Sequence, residues 1–167
     1  MTRTHFISRY LASSFFLVIS LLLSAEVHAG PSKAFKTSYC DIHYTDEKSL
    51  NDFFWRIGGK RFNFDEDISL ARSRVDRLVD RVQSILDMYP DKFYIKIELY
   101  PKHKKGLIAS YNQSKNTIIV YADKVTDGVL AHEVAHAVIC SYFEVPPPEK
   151  MQEILTQYVD KHLWDDY

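Results

Sequence analysis

Apolar and polar residues alternate strictly over residues 93–100, where Phe93, Ile95, Ile97 and Leu99 stand between Tyr94, Lys96, Glu98 and Tyr100. That two-residue period predicts a strand with one face against a core. Two further apolar runs, 107–111 and 117–121, flank the polar stretch Asn112-Gln113-Ser114-Lys115-Asn116 and read as a hairpin. Residues 35–44 have strand character as well, from Phe35, Tyr39 and the run Ile42 to Tyr44. Elsewhere the period is helical. Leu50, Phe53, Phe54 and Ile57 share one face of a helix that Gly58-Gly59 ends. Val75, Leu78, Val82, Ile85, Leu86 and Tyr89 form the stripe of a longer helix stopped by Pro90, with Arg72, Arg74, Arg77 and Arg81 as its solvated flanks. Asp127 can cap a third helix, and Pro146-Pro147-Pro148 separates that helix from a last one over 149–163. The longest loop-like stretch is 58–67. These elements predict an α+β fold, a small mixed sheet with helices packed on it and a helix pair at the C-terminal end.

The third helix carries His132-Glu133-Val134-Ala135-His136. Four residues make about one helical turn, so both imidazoles face the same way and can grip one ion, with Glu133 beside them. Neutral imidazoles suit zinc, and a carboxylate outside the metal shell can take a proton from activated water. A catalytic site needs a third protein ligand and an open position, and Glu144, Glu149, Glu153, Asp160 and His162 all follow the motif. In the last helix Met151, Ile154, Leu155, Tyr158, Val159 and Leu163 form the expected core face. His162 falls within that face and reads as a structural histidine, whereas Glu153 lies on the opposite, polar face.

At the N-terminus Arg3 and Arg9 precede an apolar run over 15–23, followed by Val27-His28-Ala29. The pattern is that of a secretory leader cut after Ala29, which makes residues 30–167 a single exported domain, periplasmic or secreted, with no membrane attachment once the leader is removed. The whole chain holds 21 Lys+Arg against 22 Asp+Glu. That balance gives no electrostatic basis for binding nucleic acid or an anionic membrane surface. Cys40 and Cys140 fall in the exported part, where they could form a disulfide. Cys140 also lies one turn beyond His136, which offers the alternative of a thiolate ligand.

The run from His132 to Val138, followed by Glu153-Ile154-Leu155-Thr156-Gln157-Tyr158-Val159, resembles the core of gluzincin metallopeptidases, the thermolysin-like clan. The resemblance covers residues 93–162 and extends to small exported proteins of the peptidase-MA-like type. It implies a minimal zincin-like domain that holds one Zn2+ through His132, His136 and Glu153, with Glu133 as general base and a peptide or protein as substrate. It also implies that the strand before the hairpin turn, around Ala109, Ser110 and Tyr111, is a sheet edge on which substrate backbone can lie. Two departures stand out. Gln157 occupies the place where gluzincins carry an aspartate that orients a ligand histidine, and its amide oxygen could accept the same hydrogen bond without the charge. Larger gluzincins also draw a transition-state-stabilising group from a following domain, for which Tyr111 and Tyr142 are the local substitutes. Two alternatives to a working peptidase follow: a metal-retaining binding module, and a self-regulated or partner-dependent peptidase in which Cys40 or another N-terminal residue occupies the open metal position until displaced.

Overall fold

The computed structural model describes residues 33–58, 68–103 and 106–165; the expected leader, and most of the expected long loop, lie outside them. In chain order the elements are β1 (Lys33–Lys36), β2 (Cys40–Tyr44), α1 (Glu47–Gly58), α2 (Ile68–Leu86), β3 (Ile95–Tyr100), β4 (Ala109–Asn112), a 3-10 turn (Gln113–Lys115), β5 (Thr117–Tyr121), α3 (Asp127–Tyr142) and α4 (Glu149–His162). The fold is α+β, as the periodicities predict.

Five strands form one mixed sheet in the order β1-β2-β3-β5-β4. The three inner strands run parallel, with Ile42 opposite Ile97 and Ile97 opposite Ile118, while β1 and β4 are antiparallel edges. Helices cover one face: α1 packs on β2 and β3, and α3 packs on β4 and β5. Alternation decides which residues meet them. Ile95, Ile97 and Leu99 are buried, while Lys96 and Glu98 form an ion pair of 2.6 Å on the other face. Phe35, Phe53 and Phe54 cluster at one end of the core with ring centroids 5.0–5.8 Å apart. Leu130, Val134, Ala137 and Val138 fill the centre from α3.

Several boundaries differ from the sequence expectation for local reasons. The strand expected over 35–44 is a β1–β2 hairpin, because Thr37 Oγ1 accepts from the backbone N–H groups of Tyr39 and Cys40 and turns the chain. Helix α2 ends at Leu86 rather than Pro90: Asp87 enters the left-handed region at φ 51°, and the Met88 N–H reaches back to the Gln83 carbonyl at 3.0 Å. Tyr89 is therefore outside the helix and 58% exposed. Thr126, not Asp127, caps α3, accepting from the Val129 N–H at 3.3 Å, while Asp127 accepts from the Gly128 N–H at 2.8 Å. Arg81 is not a solvated flank. Its Nε and Nη2 donate to the carbonyls of Leu163 and His162, tying α2 to the end of α4.

The largest departure is the orientation of α4. Met151, Ile154 and Tyr158, expected in the core, are 53%, 60% and 49% exposed, and the buried residues are Gln152, Thr156 and Val159. The helix turns a largely polar face inward, toward α3. No helix among the described residues is long and apolar enough to cross a membrane.

Because Ile97 is fully buried on the central strand, Ile97→Ala should lower the unfolding free energy by about 2–5 kcal/mol. Urea denaturation followed by far-UV circular dichroism checks this through the midpoint, at unchanged slope.

Candidate metal centre

Helix α3 is apolar on most of its surface and packs between the sheet, α2 and α4. Its polar exceptions, His132, Glu133 and His136, share the side facing the start of α4. The two imidazoles stand edge to face with centroids 5.1 Å apart. Glu153 reaches both: its Oε1 is 3.2 Å from His136 Nε2 and its Oε2 is 3.8 Å from His132 Nε2. One ligand atom from each of the three residues lies within 4.8 Å of the others, so the group could hold a metal ion. Ligands about 2.0–2.1 Å from a tetrahedral metal stand roughly 3.3 Å apart, which the two nitrogen–oxygen distances bracket.

The far side of each imidazole is also engaged. His132 Nδ1 is 3.0 Å from Asp160 Oδ2, and His136 Nδ1 is 3.2 Å from Gln152 Oε1. Carboxylate and amide oxygens only accept, so each Nδ1 carries the hydrogen and each Nε2 lone pair is directed at the shared position. Gln152 is itself fixed by its Nε2, which donates to the Pro147 carbonyl at 2.9 Å, and its Oε1 also accepts from Cys140 Sγ at 3.4 Å. The tri-proline connector is thus tied to a group that orients a candidate ligand.

Glu133 stands apart from this set. Its Oε2 accepts the Tyr111 backbone N–H at 2.7 Å, a bond that crosses from α3 to the edge strand β4. Burial raises its pKa, against the opposing pull of His132, His136 and the Tyr111 N–H. Two clefts meet here. One, of about 560 Å3, is lined by Ser110, Tyr111, Pro147, Glu149 and Gln152 among others; the second, of about 370 Å3, is lined by Gly128, Val129, Asp160, Leu163 and Trp164; and His132 and Glu133 belong to both. Among the described residues neither lining includes a lysine or arginine. Glu133, Glu153 and Asp160 therefore converge on two imidazoles without a basic side chain among them, a donor set whose charge fits a cation.

The structure brings together His132, Glu133, His136 and Glu153, and places Ala109, Ser110 and Tyr111 on a true sheet edge, since β4 pairs only with β5. It does not bring Gln157 to the site. That residue is exposed, and the Nδ1 atoms of both histidines, one of which it was expected to orient, face Asp160 and Gln152 instead. Sequence reasoning placed Asp160 among metal ligands and passed over Gln152. The available signal was spacing, because Asp160 lies seven residues, about two turns, beyond Glu153 and so on its face.

The cysteines are likewise corrected: both are free. Cys40 is fully buried in β2 beside Thr37, where burial pushes its thiol up to about 12, and it is not among the residues grouped at the metal position. Cys140 stands behind His136 as a donor to Gln152 rather than as a ligand. Tyr142 is exposed at the end of α3, and the Tyr111 hydroxyl donates to Asn116 at 3.1 Å. His162 is partly buried, hydrogen-bonded to Asp165 and packed at a tilt of 44° against Tyr158, with ring centroids 4.3 Å apart, in keeping with a structural role. Comparison of the chain with protein families, characterised proteins and solved structures returns no match.

Replacing the carboxylate behind a ligand histidine typically weakens metal affinity roughly ten- to hundredfold. Asp160→Ala is expected to show that loss in chelator competition, and Gln157→Ala to bind as the parent does.

Proposed function

We propose that the chain is a zinc-dependent peptidase in which His132, His136 and Glu153 hold the ion and Glu133 is the general base. The observation that carries this reading is the placement of Glu133. It belongs to the metal-bearing turn of α3 and not to the ligand set, it is held by the backbone of a sheet edge, and it lies where two clefts meet. The donor set, two neutral imidazoles and one carboxylate, suits zinc with an open position. Bound zinc supplies Lewis acidity to a carbonyl oxygen and to water.

The remaining steps belong to the protein. With Oε2 fixed by the Tyr111 N–H, Oε1 of Glu133 takes the proton of the attacking water and later delivers it to the leaving amine. Burial raises the carboxyl's pKa toward the range in which it can both accept and return a proton. The β4 edge orients the substrate. In its antiparallel pairing with β5, the Tyr121 N–H bonds to Ile108, so backbone groups alternate and those of Ala109 and Tyr111 face the open side. Since the Tyr111 N–H is spent on Glu133, strand addition would use both backbone groups of Ala109 and the Tyr111 carbonyl.

Glu133→Gln should retain zinc and lose at least about a hundredfold in kcat on a peptide library substrate. Full cleavage by that variant would rule out the proposed base, and an intact biological role without cleavage would leave a zinc-dependent binding module. Metal analysis should find zinc lost from Glu153→Ala and kept by Glu149→Ala; the opposite pattern would reassign the third ligand.

A further inference from the structure

We infer that a third cavity, sharing the Leu163 and Trp164 wall with one cleft of the metal site, is an anion-binding subsite that takes a peptide carboxylate. This rests on the peptidase reading above. The cavity has a volume of about 320 Å3 and is lined by Arg74, Arg77 and Arg81, from successive turns of α2. Leu163 and Trp164 line both this cavity and the 370 Å3 cleft that reaches His132 and Glu133. A peptide leaving the metal centre on that side therefore crosses the shared wall and arrives at the arginines.

The three guanidinium groups do different things. Arg81 fixes the wall, through its bonds to the carbonyls of His162 and Leu163. Arg74, whose guanidinium lies against Gly58, has its Nε and Nη1 shut off from water and without a hydrogen-bond partner among the described residues. Unpaired N–H groups shielded in this way are costly. Nε and Nη1 lie on different edges of the guanidinium, so a carboxylate takes a fork there with Nη2 as one arm. Arg77 is exposed, with Nε donating to the Ser73 carbonyl at 3.2 Å, so its outer nitrogens are placed for an incoming ligand. Among the described residues Asp127 is the one acidic residue lining the cavity, and its Oδ1 already accepts the Gly128 N–H. Positive charge exceeds negative there, whereas both clefts at the metal centre lack basic side chains.

The carboxylate could be an acidic side chain or the C-terminus of the peptide. Both present the same group, and a peptide set separates them. The full chain carries two tryptophans, Trp55 and Trp164, so the indole N–H signals in 15N NMR spectra locate binding, with Trp55 as internal reference. Titrations use N-acetylated Ala-Ala-Glu amide, Ala-Ala-Gln free acid and Ala-Ala-Gln amide, on metal-free and zinc-loaded protein. At least one carboxylate-bearing peptide should shift the Trp164 signal with a Kd about tenfold below that of the neutral amide, the advantage expected of one charge-assisted fork. Arg77→Gln and Arg74→Gln should each erase the difference. Arg77, being exposed, serves where the Arg74 variant fails to fold. Equal response to all three peptides, no Trp164 response, or an undiminished preference in Arg77→Gln would overturn the subsite. Because the shift needs no turnover, the two proposals fail separately. Cleavage without carboxylate preference overturns the subsite and leaves the peptidase, whereas a charge-dependent Trp164 response with no cleavage of any peptide overturns the peptidase.

Discussion

The polar seam between α3 and α4 is the constraint on which the site depends. Two imidazoles and a glutamate on a helix that is otherwise core would be costly to bury unless every polar atom found a partner. Helix α4 supplies those partners from one side: Gln152 and Asp160 on the two Nδ1 atoms, and Glu153 opposite the two Nε2 atoms. To do so it must turn that side inward, which leaves Met151, Ile154 and Tyr158 facing out. The interface between the helices is thus settled by hydrogen-bond satisfaction along the seam, with Thr156, Val159 and Leu163 packed beside it. Arg81 reinforces the arrangement from behind by holding the last carbonyls of α4 against α2.

The sheet contributes through its edge. Parallel strands β2, β3 and β5 make a rigid centre, and the hairpin returns β4 to the outside, next to α3. Only an unpaired strand can offer an outward backbone N–H, and the one on Tyr111 ends on Glu133. A carboxylate on a helix is thereby positioned by main chain, which is stiffer than any side-chain partner. The 3-10 turn that makes the hairpin possible is closed by Asn112, which accepts from Lys115, and by Asn116 in the left-handed region at φ 47°. Local turn chemistry at residues 112–116 therefore bears on the orientation of a proposed base some distance away in sequence.

How much of this was legible in the chain follows from which signals are local. The alternation in β3, the hairpin and the four helices all show in a short window, and so do the two histidines one turn apart. Their α+β assembly follows from element order. What failed was the rule that the apolar face of an amphipathic helix points to the core. It assigned Met151, Ile154 and Tyr158 inward because it weighs side-chain hydrophobicity and ignores what a facing helix demands. The same error displaced the orienting groups, since Gln157 was chosen by analogy in spacing while Gln152 and Asp160 lie on the face that geometry selects. The cysteine pairing failed for a different reason: compartment and cysteine number permit a disulfide, but only the packing shows Cys40 fully buried in the inner strand β2 and Cys140 beside Gln152.

Asp160 also bears on the chemistry of the centre. The amide expected at Gln157 implied ligand histidines without a charged partner, and hence weakly basic ones. In the structure the partners are unequal: His132 is backed by a carboxylate and His136 by an amide. A carboxylate behind an imidazole raises its donor strength more than a neutral oxygen does, so His132 is the stronger donor of the two. Across the site Glu153 and Asp160 together match the charge of one divalent cation, and Glu133 adds a carboxylate beyond that balance. Partial burial raises the pKa of that carboxylate and so favours its protonated form. Burial that favours proton uptake at Glu133 accords with the general base proposed for it, beside a group at His132, His136 and Glu153 that could hold a metal ion.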